Sequence, residues 1–521
     1  MHRLPRDEWT VAGLGFIVAV CVVSVGCGPS GHGGGPWFDL ELPPGLGNPH
    51  QPVLNVTDRS APSASVPEGE AGHHALESDR ILDDVGTITG FSRADRAAGN
   101  QMWGRVTGRP AAAETMEWVA KEFRDAGLRD VEVQAYDGTE AMWWPRRWQV
   151  RLFADPVVGA GSEAVVLESA LPTSGSEIPG GVLTAALVDV GSTAADALPD
   201  VEVAGKVAVQ SLRPASGAYS ERRRTVARAR ELMGRGAVAV LNVIEQTGNM
   251  HIRDFSNCDG PCFNIGTADG AFLVAAMARA AEAGLSDAVR VELTLETETL
   301  TELTGHNVVG VVEGRTDETI IVNAHADGWF DAAGDNADGL AVLLAMARHF
   351  AEPGRELDRT LVFVASGGHH SRGLNGPSNF TAMNPELGEK TVLVLNLEHV
   401  AQRAIRPGEW TVDPTEQPMS FGIDNESPFL IDVGRRGMAR YGFNLNPEFR
   451  AAVPGDLGGY RSFGAPRVQA IHSGPMYHAS GDVLETISAP GLERAARFYA
   501  FFVRETAKAP REEIASRAGA E

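Results

Sequence analysis

The stretch "TIIVNAHADGWFDAAGDNADGLAVLLAMARHF", residues 319–350, holds two different hydrophobic patterns. It opens with a β-branched, apolar run that is typical of a buried strand. It closes with Leu340, Leu343, Leu344 and Ala347 at a spacing that places them on one face of a helix. A polar loop containing glycine separates the two patterns. A strand that leads through such a loop into a helix predicts an α/β unit.

The strand pattern recurs on both sides of this stretch, in "NVVGVVEG", "RTLVFVAS", "TVLVLNLE" and "RVQAIHS". These runs are apolar on both faces, and helix patterns occur between strands, which is typical of parallel sheets. We therefore predict an α/β fold with a mainly parallel sheet and helices on both of its faces.

Side chains that can bind metals follow the ends of these strands. They are His325, Asp327 and Asp335 in the opening stretch, His369 and His370 after "RTLVFVAS", Glu398 and His399 after "TVLVLNL", and Tyr477, His478 and Asp482 after "RVQAIHS". Because the functional crevice of an open α/β sheet lies beyond the carboxyl ends of its strands, we expect these residues to meet. Imidazoles and carboxylates are ligands that suit zinc. Asp327 is expected either to orient the ring of His325 by accepting its second N–H or to cap the loop.

The length and net charge of the chain indicate how many folded units to expect and which binding partners are unfavourable. The chain has 521 residues and a formal net charge of −23. This length favours two folded units. The negative charge argues against nucleic acid and anionic membrane surfaces as partners.

The N-terminus has the features of an export signal. Residues 1–27 contain basic residues, then an apolar run, then small residues before Cys27. We interpret Cys27 as the lipidated residue of a bacterial lipoprotein, with simple secretion as the alternative. The expected location is periplasmic or at the cell surface, and the expected contact with the membrane is limited to a lipid anchor.

The rest of the chain divides by composition. Residues 28–78 are rich in Gly, Pro and Ser and are expected to form a tether and an irregular arm. Residues 79–155 and 303–508 carry the α/β pattern. Residues 156–302 contain short β-rich runs, a basic helix and a buried strand, in an order that resembles a protease-associated domain. We therefore predict that this β-rich domain is inserted into the α/β domain.

Two cysteines lie inside the predicted insert, in "NCDGPC". In an oxidising compartment, Cys258 and Cys262 are expected to form a local disulfide. A metal site is the alternative, but no second Cys or His pair follows at zinc-ribbon spacing.

The motifs as a set resemble the co-catalytic zinc aminopeptidase family. The resemblance rests on "HADGWFDAAGDNADGLAVLLAMAR", on the strand that ends in two paired side chains, on "NLE" and on "YHASGD". It covers residues 80–505, and the interval from His325 to Asp335 is similar to the glutamate carboxypeptidase branch. This family also includes exported bacterial aminopeptidases with a protease-associated insert.

The resemblance implies a centre with two zinc ions that hydrolyses peptides or small amides. It implies that His325, Asp335 and Glu398 hold one ion, and that Asp335, His370 and His478 hold the other, with Asp335 bridging. It also implies that Tyr477 donates a hydrogen bond to the developing oxyanion. Asp456, in "GDLGGYRSFGAP", resembles a family aspartate with either a structural or a substrate-facing role.

The chain departs from the family at one pair of positions. The family has two adjacent glutamates where this sequence has His369 and His370. The second glutamate is a zinc ligand, and an imidazole can replace it. The first is the general base, and the resemblance therefore implies that His369 takes this role.

Two other functions remain open from the sequence. One is a metal-binding or ligand-binding relative that has lost its general base at His369. The other is a serine hydrolase, because Ser371 lies in a His-x-Ser-x-Gly turn similar to a nucleophile elbow. Aminopeptidase, carboxypeptidase, dipeptidase and amidase modes are all compatible with the motifs.

Overall fold

The computed structural model describes residues 36–43, 55–56, 62–154, 163–195, 197–213, 219–246, 248–253, 258, 260–406, 411–446, 448–451, 453, 455–472, 474 and 476–517. The predicted export segment, residues 1–27, lies outside them. The α-helices are α1 (Ser78–Ala97), α2 (Pro110–Asp125), α3 (Tyr219–Gly234), α4 (Thr267–Glu282), α5 (Asp338–Ala351), α6 (Gly376–Met383), α7 (Leu387–Lys390), α8 (Pro428–Tyr441), α9 (Ala489–Lys508) and α10 (Arg511–Ala515).

The strands are β1 (Asn55–Val56), β2 (Gly104–Arg105), β3 (Arg129–Asp137), β4 (Met142–Ala154), β5 (Val165–Val166), β6 (Leu171–Pro172), β7 (Val182–Ser192), β8 (Val207–Leu212), β9 (Ala239–Ile244), β10 (Cys262–Ile265), β11 (Val289–Leu300), β12 (Thr304–Val312), β13 (Thr316–His325), β14 (Gly328–Trp329), β15 (Arg359–Ser366), β16 (Thr391–Leu397), β17 (Arg403–Arg406), β18 (Thr411–Glu416), β19 (Ser420–Ile423) and β20 (Arg467–Ile471).

The main sheet has the order β19-β20-β16-β13-β15-β12-β3. Strands β20, β16, β13 and β15 pair with one another in parallel. The edge pairings are antiparallel: β19 pairs with β20 on one side, and β12 pairs with β15 and with β3 on the other. The sheet is therefore parallel at its centre, as predicted, and antiparallel at both edges. An apolar run has the same pattern in either direction, so the sequence of β12 did not reveal its orientation.

Helices cover both faces of the main sheet. Helices α1, α2, α5 and α9 bury their apolar faces in one cluster with one side of the sheet. On the other side, Phe380 of α6 and Tyr460 pack on the sheet residues Ile321 and Val394. The predicted α/β class is confirmed, and this double cover explains why β13 is apolar on both faces.

A second sheet has the order β5-β4-β11-β7-β8-β9-β10-β6. It includes the β-rich runs predicted for residues 156–302, but also β4, which precedes that range and pairs with β11 along its full length. Its apolar cluster takes in Trp103, Trp329 and Phe330 from the α/β part of the chain. The core of the second sheet therefore includes residues of the α/β part of the chain. Cys258 and Cys262 form a disulfide in this part, with their Cα atoms 6.1 Å apart.

The described parts of residues 28–78 are packed against the folded chain. Trp37 is buried and contacts Phe272 of α4 edge to face. The buried carboxylate of Glu70 accepts hydrogen bonds from Arg440 and from the hydroxyl of Tyr441 on α8. This part of the predicted tether is therefore docked. In the part of the chain that the structure describes, no helix has the length and apolar character needed to cross a bilayer.

Candidate active site

The five predicted metal ligands lie together at the carboxyl end of the parallel strands. His325 is the last residue of β13, and Glu398 follows β16 directly. The others are on loops that follow β13, β15 and β20, and the side chains of all five are almost entirely buried. Five buried groups of this kind in one place need either mutual hydrogen bonds or a cation.

The carboxylate of Asp335 lies at the centre of this cluster. Its Oδ1 is 3.4 Å from Nε2 of His325, and its Oδ2 is 3.3 Å from Nε2 of His370 and 3.2 Å from Nε2 of His478. Two ligand atoms bound to one tetrahedral zinc ion are about 3.3 Å apart. The spacing of these atoms therefore suits zinc.

The tautomer of His325 also favours a cation. Its Nδ1 is 3.0 Å from the backbone carbonyl of Asp327, so Nδ1 carries the proton and donates it. Nε2 is then unprotonated, and its lone pair faces Oδ1 of Asp335. Neither of these two atoms has a hydrogen-bond partner among the described residues. Two buried acceptors that face each other are satisfied by a positive ion between them. The residues present therefore fit zinc.

Among the residues that the structure describes, two sets of three side chains have ligand atoms within 4.8 Å of one another. One set is His325, Asp335 and His370, and the other is His325, His369 and Glu398. The trios implied by the resemblance differ from these, because they include His478 and leave out His369. Glu398 is oriented by two amide donors, because its Oε2 accepts from Asn396 and Gln469, each at 2.9 Å.

Asp327 holds the two adjacent histidines through their backbone. Its Oδ1 accepts the N–H of His369 at 3.2 Å, and its Oδ2 accepts the N–H of His370 at 3.0 Å. Its carboxylate is 3.6 Å from Nδ1 of His325, whereas its carbonyl makes the hydrogen bond to that ring. Asp327 thus orients His325 with its backbone and positions the histidine pair with its side chain. Burial alone would raise the pKa of Asp327, but His325 and His370 hold it well below the usual value.

Glycine residues make the turn before the histidine pair possible. Gly368 has φ +76°, and a Cβ there would lie 1.3 Å from the carbonyl oxygen of Leu374. No side chain can be accommodated at that distance. The turn brings His369 and His370 back over the end of β15, where Asp327 binds them.

His369 is paired with Asp456. Its Nδ1 is 2.7 Å from Asp456 Oδ1, while Asp456 Oδ2 accepts hydrogen bonds from Ser366 and Asn323 at 3.3 and 3.4 Å. An ionised carboxylate can only accept, so Nδ1 of His369 is protonated and Nε2 is left as an acceptor. Burial and His325 oppose a charged ring, but Asp456 and Glu398 raise the pKa of His369 above its usual value.

The loop between His325 and Asp335 is held by a buried arginine that the sequence did not single out. Arg105 is completely buried and donates to the carbonyl oxygens of Ala326, Asp331 and Ala332 at 2.7–3.1 Å. The fork of guanidinium donors can bind several carbonyls at once. Arg105 is a single basic residue in a weak strand pattern, so the sequence did not indicate that it would hold this loop.

Asp482 is a second positioning residue without an assigned role in the sequence. Its Oδ1 accepts the N–H of Gly334 at 2.8 Å, and its Oδ2 accepts the N–H of Asp335 at 3.0 Å. Burial is the main cause that raises the pKa of Asp482, to about 7. The sequence feature that could have indicated this role is the position of Asp482 in "YHASGD", four residues after the predicted ligand His478. Asp482 therefore fixes the backbone of Asp335.

The loop that carries His478 is held by the second sheet's part of the chain. The carbonyl of His478 accepts the N–H of Arg253 at 2.9 Å, and Ser480 exchanges hydrogen bonds with the backbone of His251. Tyr477 is buried and stacks on the ring of His478, with ring centroids 3.7 Å apart. The predicted oxyanion donor thus adjoins the predicted ligand.

We predict that Asp482→Asn weakens zinc binding by about 10–100-fold, the usual effect of losing a residue that orients a ligand. The amide has one acceptor oxygen, so one of the two backbone N–H groups at Gly334 and Asp335 would face an NH₂ group. Equilibrium dialysis against buffered zinc measures the effect, with the exposed Asp432→Asn as the matched control. Equal affinity of both variants would show that Asp482 does not position Asp335.

Comparisons with known proteins agree with this geometry. Residues 307–503 match the model of Peptidase family M28. The fold is similar to that of a peptidase M28 precursor from Shewanella amazonensis SB2B, with 17% identity, coverage of 84% of this chain and 95% of that chain, and a TM-score of 0.64. It is also similar to that of BSAP, a zinc aminopeptidase from Bacillus subtilis, with 20% identity, coverage of 84% and 98%, and a TM-score of 0.55. No curated protein sequence matches the chain. The match over residues 307–503 agrees with the predicted resemblance to zinc aminopeptidases and supports a metallopeptidase-type hydrolase.

Proposed function

We propose that the protein is an exported, zinc-dependent hydrolase of peptide or related amide bonds. In this proposal it acts as an aminopeptidase-like exopeptidase with His369 as the general base. The observation that carries the proposal is the hydrogen bond between His369 and Asp456, which leaves Nε2 of His369 as an acceptor beside a cluster of zinc ligands. The name of the Bacillus subtilis protein of similar fold, a zinc aminopeptidase, supports the aminopeptidase mode.

Two zinc ions per chain are part of this proposal. Oδ1 of Asp335 faces His325, and Oδ2 faces His370 and His478, so the carboxylate could bridge two ions. Glu398 Oε1 is 4.0 Å from Nε2 of His325 and would serve the ion on the Oδ1 side. Asp335 and Glu398 are the two negatively charged ligands of this set, so they would not neutralise the positive charge of two dications. Such a centre would promote the ionisation of water.

The proposed reaction uses the residues of this chain in distinct roles. Zinc supplies Lewis-acid polarisation of the scissile carbonyl and makes water more acidic. His369 accepts the proton of the attacking water at Nε2, while Asp456 holds the Nδ1 proton and stabilises the imidazolium. His369 then donates that proton to the leaving amine. The hydroxyl of Tyr477 donates a hydrogen bond to the oxyanion.

Exposure supports the division of roles between the two histidines. The side chain of His369 is 15% exposed, whereas that of His370 is 2% exposed. A general base must reach the substrate side of the centre, while a ligand does not need contact with solvent. His369 therefore suits the base and His370 the ligand.

A second function is favoured by one specific observation. His369 stacks on His325 with ring centroids 4.2 Å apart, and its Nε2 is 3.8 Å from Glu398 Oε1. His369 could thus be a metal ligand, and the centre would then have no base at this position. The protein would be a metal-binding or ligand-binding relative that has lost its general base.

A serine hydrolase has no support from the geometry of Ser371. Its hydroxyl is buried and donates to the carbonyl of Thr107 at 3.4 Å. A nucleophilic serine instead needs a base as its hydrogen-bond partner. Ser371→Ala is therefore a matched control from the same turn.

We predict that His369→Ala lowers kcat on peptide substrates by roughly 10²–10⁴-fold, the usual contribution of a general base. Zinc content should stay at two ions per chain, because His369 is not a ligand in this proposal. His370→Ala should lose one zinc and most of the activity together. His369→Glu should preserve or raise activity, since it restores the family's base. Elemental analysis and steady-state kinetics on a set of blocked and free peptides measure both quantities.

Each other outcome of this experiment has a definite meaning. Equal zinc loss in His369→Ala and His370→Ala would make the two histidines joint ligands and remove His369 as the base. If the wild-type protein has no turnover but His369→Glu does, the protein is a metal-binding or ligand-binding relative that has lost its general base. Loss of activity in Ser371→Ala, with no effect of a chelator on the wild type, would instead indicate a serine hydrolase.

We further propose that Cys27 is lipidated and anchors the exported protein to a membrane. The support is the order of basic, apolar and small residues before Cys27. Labelled palmitate should be incorporated into the wild-type chain in a bacterial host and not into Cys27→Ser. Equal labelling of both chains, or labelling of neither, would contradict the lipid anchor.

We also propose that the unit of residues 156–302 is a protease-associated insert. Its support is the order of its strands and helices, and the sheet that its strands form together with β4 is separate from the main one. Limited proteolysis of the native protein should cut first near residues 156 and 302 while the α/β domain stays intact. A chain whose first cuts lie within the α/β domain would contradict an insert with these boundaries.

A further inference from the structure

His399 is a buried imidazole of the cluster that the resemblance left out of the ligand set. It follows Glu398 directly, and its residue is 2% exposed. Its backbone N–H donates to the side chain of Asn336, the residue after Asp335, at 3.2 Å. This hydrogen bond fixes the backbone of His399 relative to Asp335.

The hydrogen bond on one side of the ring defines the other side. Nδ1 of His399 contacts the backbone carbonyl of His472 at short range. A carbonyl can only accept, so Nδ1 carries the proton and Nε2 of the neutral ring is a lone pair. This is the same arrangement as in His325, where the carbonyl of Asp327 fixes the tautomer. Metal-binding histidines are commonly oriented in this way.

The lone pair of His399 faces acceptors rather than donors. Its Nε2 is 3.1 Å from Asp335 Oδ1 and 4.0 Å from Glu398 Oε1. Neither Nε2 nor Asp335 Oδ1 has a hydrogen-bond partner among the described residues. A 3.1 Å separation is close to the ~3.3 Å expected for two ligands of one tetrahedral zinc ion.

The backbone of His399 supports a functional reason for this placement. It has φ +54°, and the predicted ligand His478 has φ +53°. A left-handed conformation is unfavourable for a residue other than glycine, and such residues are concentrated at functional sites. The structure holds both imidazoles towards Asp335 in spite of this strain.

We propose that His399 is a further metal ligand, which binds through Nε2 on the side of Asp335 Oδ1 and Glu398. This inference rests on the proposed zinc centre and extends its ligand set beyond that implied by the family. The imidazole ligands would then be His325, His370, His399 and His478. A donor set rich in imidazole favours borderline metals such as zinc, cobalt and copper over magnesium or calcium.

The test uses the full chain, stripped of metal with a chelator and titrated with Co²⁺, whose visible absorption reports the number and type of ligands. His399→Gln should weaken the binding of one Co²⁺ by at least ~10-fold and change its absorption bands, because a nitrogen ligand is lost. Added free imidazole should restore affinity by filling the vacated position. His349→Gln, which replaces a buried histidine of α5 outside the cluster, is the matched control and should behave as the wild type.

A second variant keeps the test decisive if His399→Gln does not fold. His399→Glu retains a ligand atom, so it should bind two Co²⁺ ions but with shifted absorption bands, because oxygen replaces nitrogen. Wild-type affinity and wild-type bands in either variant would overturn the assignment of His399 and leave the zinc centre intact. A wild-type chain that binds neither Co²⁺ nor Zn²⁺ would overturn both this inference and the proposed function.

Discussion

The carboxylate of Asp335 is the constraint on which the site depends. Imidazoles from the carboxyl ends of three different strands and the loops that follow them point at its two oxygens from distances of 3.2–3.4 Å. Burial alone would raise its pKa, yet the surrounding imidazoles, with His370 first, hold it well below the usual value. A buried anion with an unsatisfied oxygen, here Oδ1 of Asp335, attracts positive charge strongly. The supports around it, from Asp482 and Arg105, are therefore positioned to hold its backbone still.

A histidine in the place of the family's glutamate base would need a partner to be functional. A glutamate base needs no partner to choose its tautomer, whereas a histidine base does. Asp456 supplies that partner at 2.7 Å from Nδ1 of His369, and Ser366 and Asn323 hold Asp456 in turn. The aspartate in "GDLGGYRSFGAP" thus acquires a role that the sequence left undecided between structure and substrate.

The periodic parts of the structure could be predicted from the sequence, and the parts that depend on loop geometry could not. The central strands, helix α5 and the convergence of His325, Asp335 and His478 follow from hydrophobic pattern and strand order. The orientation of β12 did not, because its apolar run has no direction. The docking of Glu70 was also missed, since its partners on α8 are 370 and 371 residues away in the sequence. The role of His399 depends on a left-handed backbone and on a carbonyl of another loop, neither of which has a sequence signature.

The second sheet is connected to the chemistry of the centre through a short segment. Residues 250–253 pair with the loop that carries His478: Ile252 forms an antiparallel bridge with Ala479, and the N–H of Arg253 binds the carbonyl of His478. His478 has a left-handed backbone, which needs external support to persist. That support comes from the β-rich unit, while the ligand itself belongs to the α/β domain. The unit is therefore a structural component of the centre, and any movement of its sheet relative to the main sheet would act directly on the position of His478.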